Sequence, residues 1–338
     1  MSYDPAFKIT PKTAGVLMEA AALGEKINGI ALPPGIVKTL RDEARRLSVY
    51  YAAVLSGLNV SRDEIERITK RMGNFSARER GKKEIAGYFS ALEWMENNAD
   101  RPLTENTVRR VNAIVLGGDA TRPSPSPFRE RAQASVPELV EWLEKSQDEM
   151  PAPLAAAATL RAIAAARPFN DGNMRTAGIV STMVMYRGGF GPTGFYSMEE
   201  QHGADPKKFR EALNLRPEKE TAAEPSPDIS AWMEYFASRV TGAFAAAKGR
   251  IGRELSGDAW DRSALFRSLT PRQRKILELF SDRDVITSRD AEATLSFSAR
   301  SARLLCQKLA AEGFLVAVNK ADKNRNYKLG KKFSATTR

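Results

Sequence analysis

Along the first three quarters of the chain, apolar positions recur mostly at spacings of three and four, as in helices that bury one face. Such spacing runs from Ile36 to Leu47 and resumes after Ser61, where Ser61 and Glu64 are placed as a capping box. Further helices are expected from Gly81 to Asn97 and from Thr104 to Leu116, before "GGDATRPSPSPFRERAQAS" breaks the pattern with glycine and proline. "VPELVEWLEKSQ" restarts a helix with Leu139, Trp142 and Leu143 on one face, and "PLAAAATLRAIAAA" continues into a small-residue helix suited to close packing. Beyond "RPFNDGN" the pattern predicts helices from about Arg175 to Arg187, Asp205 to Leu213 and Asp228 to Ala246. The expected fold class is mainly α, without internal repeats.

The pattern changes after "AAAKGRIGRELSGDAW". "TPRQRKILELFSD" reads as a helix with Ile276, Leu277 and Phe280 on its apolar side, Thr270 as N-cap and Pro271 in the first helical position. "TSRDAEATLSFS" gives a short second helix and a turn. "SARSARLLCQKLAAEGFL" gives a third, capped by Ser298, with Leu304, Leu305 and Leu309 inward and Arg300 and Arg303 projecting from its first half. "FLVAVNKADKNRNYKLG" then reads as two strands joined by a charged turn from Lys320 to Asn326. Helix, helix, helix, hairpin is the order of a small winged helix-turn-helix domain. The chain thus divides into an N-terminal helical region (1–110), a helical core (111–250), a linker (251–266) and this winged domain (267–332).

Charge gives the second part a partner. The 338 residues carry a net charge of +11. From Arg262 to Arg338 there are 17 Lys and Arg against 7 Asp and Glu, a net of +10, which leaves +1 for everything before. So localised a basic segment is an electrostatic footprint for a polyanion, with DNA as the expected partner. In a winged fold the third helix enters the major groove. Arg300 and Arg303 are then the candidate base or phosphate contacts, supported by Ser298, with Lys320, Lys323 and Arg325 on phosphates from the wing. A solvated basic tail, or a winged module that docks protein, is the competing reading. Cys306, among apolar neighbours, reads as a core thiol.

The rest of the composition narrows the chemistry. One cysteine (Cys306) and one histidine (His202) leave no internal disulfide and no set of soft ligands for structural zinc. Any metal should be a hard ion held through oxygens. No apolar run approaches the roughly 20 residues that cross a bilayer, and the first residues lack a secretory pattern, so no membrane partner and a cytoplasmic location are expected.

Candidate chemistry concentrates in "RPFNDGNMRTAG", residues 167–178. A helix, a short loop and a new helix place Gly172 and Asn173 at a helix N-terminus, where free N–H groups and the helix dipole favour an anion. Asp171 is placed to hold a hard divalent ion beside phosphates. Together these suggest a nucleotide phosphate site. An ordinary Asp-Gly turn between core helices, with Phe169 filling the core, is the alternative.

This stretch resembles the signature of the Fic (Fido) family, H-P-F-x-[DE]-G-N-G-R-x-x-R, whose active members transfer AMP from ATP to a protein hydroxyl. Pro168, Phe169, Asp171, Gly172, Asn173 and Arg175 match it in place. Arg167 stands at the histidine position, Met174 replaces a glycine and Gly178 replaces the final arginine. "LPPGIVKTLRDEARRLSVYYAAVLSGLNVSRDEI", "PFRERAQ", "FYSMEEQHGADPKKFREAL" and "DISAWMEYFASRV" also resemble family segments. The resemblance implies a Fic helical fold with a short flap hairpin, and winged domains are often appended to such proteins.

The departures carry consequences within that resemblance. The family histidine is the general base, and an arginine does not deprotonate in proteins, so Arg167 cannot take that role. Met174 crowds a nest that glycine leaves open to phosphate. Aligning "AAVLSGLNVS" with the family's inhibitory helix puts Ser56 at the glutamate that pairs with the final arginine, so both halves of that ion pair are absent. His202 is expected on an exposed bend or helix cap, apart from the loop. What the resemblance leaves is a loop in which Arg167, Gly172, Asn173 and Arg175 hold ATP, another nucleotide or an anion, and Asp171 a Mg²⁺ ion, without catalysing transfer. The chain would then be a DNA-binding regulator, with a homodimer allowed. The competing reading is an active AMP, nucleotidyl or phosphoryl transferase using a non-histidine base.

Overall fold

The structure, a computed structural model, describes residues 3–71, 75, 79–117, 128–146, 149–190, 194–215, 228–255, 266, 268–280, 283–318 and 325–334. Lys320 and Lys323 lie outside the described residues, as does most of the glycine- and proline-rich break after Leu116. Among the described residues the chain is mainly α-helical, with one small sheet. It forms two compact units, Met1–Asn28 with Arg41–Lys248 and Gly29–Leu40 with Gly249–Arg338.

The helices, in order, are α1 (Pro11–Asn28), α2 (Pro34–Leu55), α3 (Arg62–Arg71), α4 (Arg80–Glu96), α5 (Glu105–Val115), α6 (Ser135–Ser146), α7 (Ala152–Ala166), α8 (Asn173–Arg187), α9 (Met198–Gly203), α10 (Pro206–Leu213) and α11 (Ser230–Glu254). The centre of the first unit is the pair α7 and α8. Ala155 to Ala158 are all buried, and these small side chains let α8 approach closely. Ser181 Oγ donates to Ala156 O at 2.8 Å, while a Cβ at Gly188 would collide with that of Ala152, so the two helices run side by side in opposite directions. Trp232 of α11, fully buried, donates its indole N–H to Ala157 O at 2.8 Å.

Two elements differ from the periodicity. The apolar pattern does not single out α1, because its buried positions, Thr13, Ala20 and Ile27, are mostly small or polar. This helix is held through α11 instead: Thr241 Oγ1 donates to Val16 O at 3.1 Å and Lys12 pairs with Glu234 at 2.8 Å. In turn α11 continues to Glu254 rather than ending near Ala246, so the start of the expected linker is helical. The expected flap hairpin falls mostly outside the described residues. Its described end is a single 3₁₀ turn, Glu130–Ala132, leading into α6.

In the second unit the order is α12 (Pro271–Glu278), β1 (Ile286–Thr287), α13 (Ser288–Leu295), α14 (Ala299–Ala311), β2 (Leu315–Ala317), β3 (Asn326–Leu329) and α15 (Lys331–Ser334). Thr270 Oγ1 accepts from Gln273 N–H at 3.3 Å and Gln273 Oε1 accepts from Thr270 N–H at 2.8 Å, a complete capping box. The sheet is antiparallel in the order β1-β3-β2, with Ile286 opposite Tyr327 and Leu315 opposite Leu329. Strand β1 was not foreseen; at two residues it is too short to show an alternating pattern. Ile276, Leu277, Ala302, Cys306 and Phe314 form the core, and burial pushes the Cys306 thiol up to about 11.

One sequence expectation on α14 is corrected. Leu304 does not face inward; it is 57% exposed and Leu305 is half-buried. Ala302, Cys306 and Leu309, spaced four and three apart, form the buried stripe, and at 100° per residue Leu304 lies on the opposite side. Bulk favoured the leucines, but the stripe is set by an alanine and a cysteine.

Candidate functional site

The loop begins with a strained residue. Arg167 caps α7 in the left-handed conformation (φ 46°, ψ 59°), which costs a non-glycine residue roughly 1–2 kcal/mol, while its N–H donates to Ile163 O at 3.0 Å. Its side chain is exposed and makes no hydrogen bond or ion pair among the described residues. Pro168 O accepts from Arg129 N–H at 2.9 Å, and buried Phe169 packs on Phe128 with ring centroids 5.4 Å apart. The Asn173 amide then closes the loop on itself. Its Oδ1 accepts from Phe169 N–H and its Nδ2 donates to Phe169 O, both at 2.8 Å.

Gly172 stands at the N-cap of α8 with φ 72°, and a Cβ there would lie 3.2 Å from both Asn112 Nδ2 and Leu116 Cδ2. Its N–H is taken by Asp171 Oδ1 at 2.6 Å. The N–H groups of Asn173, Met174 and Arg175 carry no hydrogen bond among the described residues, so the first turn of α8 still presents donors.

The charged side chains form a closed ring. Arg175, 8% exposed, reaches Glu84 Oε2 at 2.5 Å and Asp171 Oδ1 at 3.8 Å. Glu84 Oε1 accepts from Arg80 Nε at 2.7 Å, and Arg80 Nη2 returns to Asp171 Oδ2. Glu84 and Asp171 hold the Arg80 guanidinium above its ordinary value. Asn112, buried within the apolar face of α5, donates to Asp171 O at 2.9 Å and to Thr176 Oγ1 at 3.1 Å. Sequence reasoning missed Arg80, Glu84 and Asn112. Their signals were an i,i+4 pair of opposite charges on α4 and a polar residue interrupting the apolar face of α5.

Of the residues expected at the site, Arg167, Asp171, Gly172, Asn173 and Arg175 therefore lie together, but only Arg167 has a charge without a partner. A magnesium ion would have to displace Arg80 to reach Asp171. One Asp171 oxygen is held by a backbone N–H and the other by Arg80, and among the described residues no three His, Cys, Asp or Glu side chains converge.

Residues 102–185 match the model of the Fic/DOC family, a span that holds α5 to α7, the whole loop and nearly all of α8. The chain carries a Fic/DOC family domain. A Fic family protein from Desulfovibrio desulfuricans G20 superposes with a TM-score of 0.60 at 16% identity, over 97% of this chain and 98% of that one. A Fic domain containing signalling protein from Bacteroides thetaiotaomicron VPI-5482 gives 0.55 at 21%, over 71% and 97%. Fic-1 from C. elegans (residues 134–508) gives 0.57 at 17%, over 72% and 73%. At these identities the likeness shows the fold. No curated protein matches the sequence.

Behind the loop of the Fic domain, Ser56 from the end of α2 and Gly178 from α8 line one cavity. His202 lines it too, which corrects the expectation of an exposed cap. It is 3% exposed, with its ring 4.7 Å from Phe209 and 5.7 Å from Phe236. Burial, aided by Arg239, lowers its pKa to about 3, so it is neutral and a very weak base. In the second unit Ser298 caps α14, accepting from Ser301 N–H at 3.2 Å, and Arg300 and Arg303 are exposed. Arg325 is half-buried and hydrogen-bonds Tyr327.

Proposed function

We infer that this chain is a DNA-binding regulator whose Fic domain holds an anion or nucleotide, or serves assembly, without transferring AMP. The observation that carries the reading is the exposed face of α14. Arg300 and Arg303 stand there without ion pairs among the described residues, beside exposed Leu304, on a helix capped by Ser298. Arginines on such a face suit guanine edges and phosphates, and a leucine suits a thymine methyl. The β1-β3-β2 sheet and three helices are consistent with a winged helix-turn-helix.

Three features of the Fic domain support the loss of transfer. Arg167 cannot accept a proton, the one histidine is a buried weak base, and Asp171 is committed to Arg80. The free N–H groups of α8 and the unpaired Arg167 retain the capacity to hold a phosphate or similar anion. Recovery of genomic fragments bound by the full chain at physiological salt tests the DNA reading. Enrichment of a few sites, abolished in an Arg300→Ala, Arg303→Ala variant, is expected; equal recovery by both proteins contradicts it. In parallel, α-labelled ATP should leave no label on protein. Transfer that vanishes with Asp171→Ala would establish an active enzyme instead.

A further inference from the structure

The outward side of α14 carries a group that the reading above leaves unused. Ala302, Cys306 and Leu309 bury one side of the helix. At about 100° per residue, the line opposite them runs through Arg300, Leu304, Gln307 and Ala311, with Arg303 beside it. All five of these residues are exposed. Lys308 lies farther round and is drawn to Glu312 at 3.8 Å. Gln307 differs from it, because its amide makes no hydrogen bond among the described residues. Arg300, Arg303, Leu304 and Gln307 are spaced three, one and three apart, the spacing of the base-reading positions on a homeodomain recognition helix. From Arg300 to Gln307 the helix rises about 10 Å, roughly three base-pair steps of about 3.4 Å.

We propose that Gln307 is a specificity-determining residue that reads an adenine in the major groove, its Oε1 accepting from the adenine N6–H and its Nε2 donating to N7. The inference rests on the DNA reading above and assigns it a base. Of the four bases only adenine presents a donor beside an acceptor on its own major-groove edge, and the planar amide of glutamine carries the complementary pair. Guanine presents two acceptors there, which suit a guanidinium instead. The favoured site therefore holds an adenine at a position that Arg300 and Arg303 do not set. Because the amide is uncharged, it adds nothing to counterion release. Its contribution is to the choice among sequences.

The test is selection of bound duplexes from a random-sequence DNA library by the full chain, beside Gln307→Ala and Gln307→Arg. The unaltered chain should enrich a motif with adenine at one position. Gln307→Ala should lose the preference at that position alone, so that the adenine duplex and its base-swapped counterpart bind alike where the unaltered chain separates them about 5- to 150-fold. Gln307→Arg should move the preference there to guanine. Since the residue is exposed, both variants should keep the melting temperature of the unaltered chain, and Gln307→Ala its salt slope as well. A motif unchanged in both variants, or a loss spread evenly over every position, would overturn the inference while leaving the DNA reading intact. No motif from the unaltered chain would sink that reading and this inference with it.

Discussion

The loop of the Fic domain and helix α14 of the second unit are both rich in arginine, yet they hold it in opposite states. Around the loop, Arg80 and Arg175 alternate with Glu84 and Asp171 in a ring of ion pairs, partly out of water. On α14, Arg300 and Arg303 are exposed and make no ion pair among the described residues. A paired, buried guanidinium must give up a partner before it can grip a phosphate, and leaving that partner unpaired is costly. An unpaired one on the surface attracts a polyanion without that cost. Arg80 and Arg175 are therefore taken up by the structure in one unit, while Arg300 and Arg303 are left open to a polyanion in the other. Arg167 is the exception in the loop: exposed, unpaired and held in a left-handed conformation.

The severest way to break this contrast is Glu84→Ala. It leaves the buried Arg175 with only the more distant Asp171, at 3.8 Å, so urea unfolding should show a loss of up to about 3–5 kcal/mol. Next, Arg300→Ala with Arg303→Ala should weaken DNA binding by about 1–3 kcal/mol for each arginine that touches base or phosphate, with the melting temperature unchanged. Removal of the ring's exposed member, Arg80→Ala, should leave the urea midpoint almost unchanged, because a surface ion pair contributes little. A loss from Arg80→Ala equal to that from Glu84→Ala would dissolve the distinction between buried and exposed pairs.

A pH profile sharpens the same distinction through His202. Its folded pKa, about 3, lies below the ordinary 6.5, so the unfolded chain binds the extra proton between those values. The histidine's contribution is complete above about pH 6.5 and is lost as the pH falls toward 3. In mid-window the stability of the unaltered chain should fall about 1.4 kcal/mol per pH unit faster than that of His202→Phe. Parallel profiles would mean that His202 is protonated without penalty in the folded protein.

How much was legible in the sequence varied with the range of the interaction. Helix α12 is capped by Thr270 and α14 by Ser298, as the local patterns indicated, since a cap is a contact between near neighbours. The loop's place between α7 and α8 was legible for the same reason. Helix α1 was not, because its helical state depends on α11, more than two hundred residues later. Nor was the ring around Asp171. Glu84 and Arg80 come from α4, and no local spacing announces that they meet a loop 90 residues on. Leu304 shows a different limit: a stripe of Ala302, Cys306 and Leu309 fixed the buried face despite its small volume.

The most direct test of the contrast is the salt dependence of DNA binding by the full chain, measured on one enriched fragment. Each phosphate contact removed should lower the slope of log K against log salt by about 1. The account predicts a shallower slope for Arg300→Ala, Arg303→Ala and an unchanged slope for Arg80→Ala. A slope that stays the same in the α14 variant, or that falls equally in both, would contradict it.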